Sequence, residues 1–172
     1  MLIPLAMGLI GPDGGEFPTR LEDEAAGPIG TRVLALADLR QSFRFADVPA
    51  PPVPSLLRGF SAPVKLKDVP LDRLKFLAVH DTEPFARWEA GQQVATKVLL
   101  DRIAAHQRGE PPAPLDSDLI AAMRRILADA GRDPAFAHGA LHVAGNLVGV
   151  PPRRPILYQH KSIMYCNVTG SQ

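Results

Sequence analysis

Internal disulfide cross-linking is excluded, because the 172 residues include a single cysteine, Cys166. A lone thiol fits a reducing compartment, so the expected location is cytoplasmic. Charge of either sign is nearly absent in excess: 19 Lys and Arg against 18 Asp and Glu leave +1. The sequence therefore carries no electrostatic footprint for nucleic acid or for an anionic membrane. Long apolar runs are missing too, since no stretch reaches the about 18 uninterrupted apolar residues of a membrane-spanning helix. The opening segment, Met1-Leu2-Ile3-Pro4-Leu5-Ala6-Met7-Gly8-Leu9-Ile10, is apolar but short. It is broken by Pro4 and has no basic flank, so it does not read as a secretion signal. The sequon Asn167-Val168-Thr169 gains meaning only in a secreted chain. No Gly-x-Ser-x-Gly elbow, P-loop or dinucleotide fingerprint occurs.

Proline, by contrast, is plentiful, with 18 residues. It clusters at Ala50-Pro51-Pro52-Val53-Pro54, Pro111-Pro112-Ala113-Pro114 and Pro151-Pro152-Arg153-Arg154-Pro155. Proline lacks an N–H and biases its predecessor towards extended geometry, so these clusters mark breaks between elements. The remaining composition, 46% hydrophobic and 22% charged, is that of a globular chain, long enough for one domain or two small ones.

The first third reads as β structure. Ile3 to Ile10 is a strand ending at the turn signal Gly11-Pro12-Asp13-Gly14-Gly15. Thr31 to Leu36 and Gln41 to Ala46 are further strand candidates; in the latter Phe43 and Phe45 share one face and Ser42 and Arg44 the other. Ser55 to Leu66 supplies one or two more, and Glu16 to Gly30 reads as a long hairpin loop. Short strands separated by turns point to a sandwich. After Leu66 the period changes. Asp68 is the expected cap and Pro70 a first-turn residue of a helix ending near His80. Thr82 is the expected cap of a second helix, with Pro84 in its first turn. That helix carries Trp88, Gly91, Ala95, Val98, Leu99, Arg102 and Ile103 on one face until Gly109 stops it. Leu119, Ile120, Met123, Ile126 and Leu127 stripe a third helix over 116–130, with Gly131 as C-cap, and a fourth begins at Asp133-Pro134. Successive helices joined by proline-rich turns are consistent with the start of a helical-repeat array.

Two stretches are the most distinctive: Pro52-Val53-Pro54-Ser55-Leu56-Leu57-Arg58-Gly59-Phe60-Ser61-Ala62-Pro63-Val64-Lys65-Leu66, and Phe85-Ala86-Arg87-Trp88-Glu89-Ala90-Gly91-Gln92-Gln93. They resemble the non-catalytic part of zinc aminopeptidases of the aminopeptidase N (alanyl aminopeptidase, gluzincin) type. The likeness runs from about Ile3 to Ala137. It implies a β + α two-part chain: an incomplete Ig-like β-sandwich over 1–66, the start of a C-terminal α-helical domain over 67–137, and an irregular, off-family tail over 138–172. It further implies that the earlier strands of the sandwich and the catalytic domain belong to sequence before Met1. The tail has no acidic residue, and a frameshift, a mis-joined exon or a truncated gene model would account for it.

The family's zinc site resembles His-Glu-x-x-His on a helix, where histidines at i and i+4 grip one ion and the glutamate acts as base on the bound water. The near miss here is His138-Gly139-Ala140-Leu141-His142. Gly139 stands where the base is required, and no acidic residue follows to complete the ligands. Hence no catalytic, cofactor-binding or metal-binding residue is expected in this chain, and zinc is expected only in the parent. His80 is expected to meet carbonyls at a helix end and His106 to lie on the surface. Trp88 is assigned to core packing, and Arg87 and Glu89 to separate neighbours or solvent. Gly91 is expected to permit close approach of another backbone, and Gly59 to mark a bulge or tight contact in a strand that includes Arg58 and Phe60. Cys166 has no suggestive partner. The expected function is support of an aminopeptidase's catalytic domain, absent here, in an enzyme that releases N-terminal amino acids from peptides. The alternatives are an interaction module that self-associates through exposed strand edges, or an unstable truncated product.

Overall fold

The computed structural model describes residues 2–111, 113–128 and 130–141. They form an antiparallel sheet followed by helices. At the centre of the sheet runs β1 (Ile3–Ile10), buried from Leu5 to Ile10. Its apolar residues are continuous because both of its faces are covered. It pairs with β2 (Glu16–Phe17), β3 (Arg32–Leu36) and β4 (Val53–Leu56), all antiparallel. The turn into β2 is closed by Gly11 N–H donating to Gly15 O (2.7 Å) and Gly14 N–H to Gly11 O (2.9 Å). Gly14 has φ +84, a left-handed value that a side chain would strain. Odd residues of β1 supply one core: Leu5, Met7 and Leu9 pack with Leu34, Leu36 and Phe45. Even residues, Ala6 and Gly8, face the other way.

One expected strand is absent and another is cut short. Residues 41–46 hold only a single bridge, Leu21 to Phe45. Leu21 opens a turn, so no ladder can continue from it. The alternation still sends Phe45 fully inside. Beyond β4, Leu57, Gly59 and Phe60 all have positive φ (61, 58 and 54). They leave the ladder for a 3-10 turn, Arg58–Phe60. Gly59 is therefore not a strand bulge, and nothing stands within 4 Å of where its Cβ would lie.

Four helices follow: α1 (Leu71–His80), α2 (Pro84–Gln107), α3 (Ser117–Ala128) and α4 (Pro134–Leu141). Asp68 does not cap α1; it sits at φ 54, and the first helical bond runs from Leu74 N–H to Pro70 O (3.1 Å). Nor does Thr82 cap α2. Glu83 does, accepting from Ala86 N–H (2.7 Å) and Phe85 N–H (3.2 Å). Gly109, at φ 72, ends α2 as expected, with Gly109 N–H on His106 O (3.0 Å) and Glu110 N–H on Ala105 O (2.9 Å), a Schellman closure. Asp116 and Asp133 cap α3 and α4. The expected face of α2 is only partly covered: Ala95 is buried, but Leu99 and Ile103 are 37% and 49% exposed, because apolar residues are spread around this helix. An added Cβ on Gly91 would lie 4.0 Å from the Ala78 Cβ. The neighbour is thus a side chain at ordinary contact, not a closely approaching backbone.

The chain divides into two units. One comprises residues 2–69 with 80–87, the other 70–79 with 88–141. No helix among the described residues is long and apolar enough to cross a membrane.

Candidate functional site

A buried arginine in an apolar run is costly unless its donors are met, and Arg58 is such a residue. The left-handed backbone of Leu57 turns it off β4 and into the first unit. Its guanidinium lies against Gly8 of β1, where a Cβ would come within 2.3 Å of Cζ. Its side chain is 2% exposed. Nε–H donates to Ser55 Oγ (2.9 Å), Nη1–H to Glu16 Oε1 (2.7 Å) and Thr31 Oγ1 (3.0 Å), and Nη2–H to Asp81 Oδ1 (3.0 Å). Each partner comes from a different place: β4, β2, the approach to β3, and the turn between α1 and α2.

The two carboxylates differ. Asp81 is fully enclosed; its Oδ1 also accepts from Glu83 N–H (3.0 Å), while its Oδ2 is buried without a partner among the described residues. Glu16 is half-buried, and the Thr82 hydroxyl donates to the same oxygen that Arg58 holds. Burial pushes the Glu16 carboxyl up, but the hydrogen bonds from Thr82 and Arg58 and the guanidinium charge outweigh it and hold the group below its ordinary value. A second pair, Arg32 with Glu24, lies nearby in the chain. Arg32 also donates to Thr19 O (3.0 Å), and its hydrogen bond is the main cause that depresses the Glu24 carboxyl.

In the second unit two side chains of α2 meet the backbone of α4. Trp88 Nε1–H donates to Gly139 O (3.0 Å), and the Gln92 amide donates to Gly139 O and Ala140 O (3.2 Å each). Trp88 and Gln92 stand one turn apart on α2, so both reach the same stretch of backbone. Trp88 is thus half-buried with its indole N–H engaged, rather than enclosed in a core. Glu89 bonds Gln93 (3.0 Å), one turn on.

Of the residues singled out from sequence, the structure brings Arg58 into one constellation and Trp88 and Gly139 together in another. His80 lies against the β1–β2 turn, with Nδ1 2.8 Å from where a Cβ on Gly14 would sit. His106 is exposed in the last turn of α2, and His138 is exposed on α4. His142 and Cys166 lie outside the described residues. Glu16, Thr31, Ser55, Asp81 and Gln92 were not singled out. One signal pointed to some of them: a charge inside Leu56-Leu57-Arg58-Gly59-Phe60 demands buried acceptors. Among the described residues no three His, Cys, Asp or Glu side chains are grouped to hold a metal ion, so these residues do not fit the zinc that the family resemblance implies. Chemically, the Arg58 cluster can cross-link but cannot act on a substrate, because its donors are taken and its charge is hidden.

Comparison with known proteins agrees with this architecture. A domain of unknown function with an Ig-like fold (DUF3458) matches residues 1–69, and a domain of unknown function with ARM repeats (DUF3458_C) matches residues 71–150. Aminopeptidase N of Escherichia coli is 36% identical over 136 residues, 78% of this chain and 15% of the relative. Aminopeptidase N of Caulobacter vibrioides is 39% identical over 108 residues, 62% of this chain and 12% of the relative. The crystal structure of Legionella pneumophila aminopeptidase A in complex with aspartic acid shares the fold at a TM-score of 0.54 and 23% identity, over 81% of this chain and 15% of that one. The chain thus spans less than a sixth of the length of these proteins. An Ig-like part followed by a helical-repeat part, in the order the sequence implied, is what both domain models match, and the chain belongs to the aminopeptidase N family as a segment made of those two parts.

Proposed function

We propose that this chain is a non-catalytic support segment of a zinc-dependent aminopeptidase, the parent activity being hydrolytic release of N-terminal amino acids from peptides. The observation that carries the reading is the use made of Arg58. The richest polar constellation in the described residues is spent entirely on joining β2, β4 and the α1–α2 turn, with the guanidinium 2% exposed. Active sites keep donors free for a reacting group; here they are consumed internally. The family relation supports the parent activity, and the absence of a general base at Gly139 supports a supporting role. Zinc and peptide substrate belong, in this reading, to the parent's catalytic domain, which is the partner of this segment. The single cysteine favours a cytoplasmic setting.

The test is hydrolysis of an alanyl anilide by the purified chain with added zinc. The expected rate is that of the protein-free blank. Turnover above the blank that a chelator abolishes overturns the proposal.

A further inference from the structure

One dipeptide carries chemistry of its own. Asp13-Gly14 is the single Asp-Gly step of the sequence, and it stands in the turn between β1 and β2. At such a step the glycine nitrogen, with no side chain to hinder it, can attack Cγ of the aspartate before it. The Gly14 N–Asp13 Cγ bond forms and the Cγ–OH bond breaks. The amide proton leaves with that hydroxyl as water, and a five-membered succinimide closes. Water then adds to one of the two ring carbonyls. Opening at Cγ restores aspartate. Opening at the main-chain carbonyl breaks the Asp13 C–Gly14 N bond and leaves isoaspartate, with the chain running through Cβ and Cγ. No oxidant, reductant or enzyme is required.

The turn opposes each part of this reaction. Gly14 N–H donates to Gly11 O (2.9 Å) and Gly11 N–H to Gly15 O (2.7 Å). Neither Pro12 nor Asp13 has a positive φ, whereas Gly14 has φ +84. The loop is therefore a type I turn closed by a left-handed glycine. The third residue of a type I turn has ψ of about 0°, which eclipses Gly14 N with the nitrogen of Asp13 itself. The ring needs Gly14 N eclipsed with Cβ, about a third of a full rotation away. Closing the ring also removes the proton that Gly11 O accepts. The nucleophile's target is engaged as well, since Asp13 Oδ1 accepts from Gly15 N–H (3.0 Å). Asp13 is exposed, so these hydrogen bonds, and not burial, are what restrain it.

We propose that Asp13 is a modification site gated by the fold: isoaspartate forms there when the β1–β2 turn opens, and once formed it keeps the turn from closing. Isoaspartate adds one atom to the main chain inside the tightest loop of the sheet. It also leaves the carboxylate on Cα, displaced from the Gly15 N–H that now holds it. β2 starts two residues beyond Gly14, and its Glu16 is the acceptor of Arg58 Nη1–H (2.7 Å). The modification therefore strikes the strand that anchors the buried cation. It concerns the covalent state of this chain and is independent of the supporting role proposed above.

Incubation of the whole chain at neutral pH tests it. Isoaspartate at position 13 is read by mass spectrometry after digestion with a protease that cuts before aspartate but not before isoaspartate. It should accumulate about tenfold or more slowly in the folded chain than in the urea-unfolded chain, since ring closure forfeits two hydrogen bonds. Pro12→Gly loosens the turn without touching the reacting pair. It should speed amide exchange at Gly14 and isoaspartate formation together. Should that variant fail to fold, the folded and urea-unfolded wild type still decide. The isolated isoaspartate form should lose amide protection at Gly11 and Gly14. Equal rates in the folded and unfolded chains, faster Gly14 exchange in Pro12→Gly with no faster isomerisation, or an isoaspartate form that keeps both amides protected overturns the proposal.

Discussion

Arg58 draws its partners from positions 42, 27 and 23 residues away, besides Ser55 close by. Replacing it with Leu leaves Asp81 enclosed without its cation, and breaking a buried pair in this way costs about 3–5 kcal/mol. Arg58→Lys is expected to recover little, because one ammonium cannot reproduce a planar fork that reaches four acceptors. Urea unfolding followed by amide exchange in β1 measures both. Gly8→Ala should behave as a milder version, at about 1–3 kcal/mol, because the new methyl occupies the guanidinium's place. Gly91→Ala should act in the opposite direction. With the nearest atom 4.0 Å from the new Cβ, the helix gains about 1 kcal/mol of propensity at no steric cost, read from Trp88 fluorescence during unfolding of the second unit. Although the segment reads only as a strand around Gly59, the sequence holds a signal for Arg58, a charge among Leu56, Leu57 and Phe60. It could not name Glu16 or Asp81, since acidic residues so distant in the chain look like any solvated charge until the fold brings them together.

At the scale of elements, the presence of helices and of the central strand was legible, and segments whose form is set by tertiary partners were not. β1, the four helices, and Gly109 as a stop follow from periodicity and turn residues, whereas the expected caps Asp68 and Thr82 give way to other first-turn contacts. Residues 41–46 have a strand's alternation, yet the segment that would complete a ladder, at Leu21, turns away. Residues 57–60 read as strand, but Leu57, Gly59 and Phe60 adopt left-handed backbone, and the turn so formed delivers Arg58 to its acceptors. Gly109→Ala tests one legible boundary. A side chain at φ 72 costs about 1–2 kcal/mol, so the end of α2 should fray and exchange faster at Arg108 to Glu110. Glu16 governs how β2 responds to acid. Its carboxyl is depressed below the ordinary 4.5 in the folded chain, so its contribution is full above that value and is lost as pH falls through the lower folded-state value. The Glu24 carboxyl is shifted in the same direction. Glu16→Gln should therefore flatten the fall in unfolding midpoint below pH 4.5, measured by acid titration of urea curves.

For the whole molecule, the succession of β and helical parts was readable because the period of the apolar residues changes after Leu66. The packing of residues 80–87 with the first unit was not, since by sequence they are simply the turn between two helices. That packing bears on how the protein can be cut. The Ig-like match stops at residue 69, an inviting place to end a recombinant polypeptide. A product stopped there keeps Arg58 but loses Asp81, and with it the Thr82 hydroxyl that helps fix Glu16. Such a product would carry a cation stripped of its innermost counterion. It should be recovered chiefly from inclusion bodies, whereas one carried on through Arg87 should stay in the supernatant.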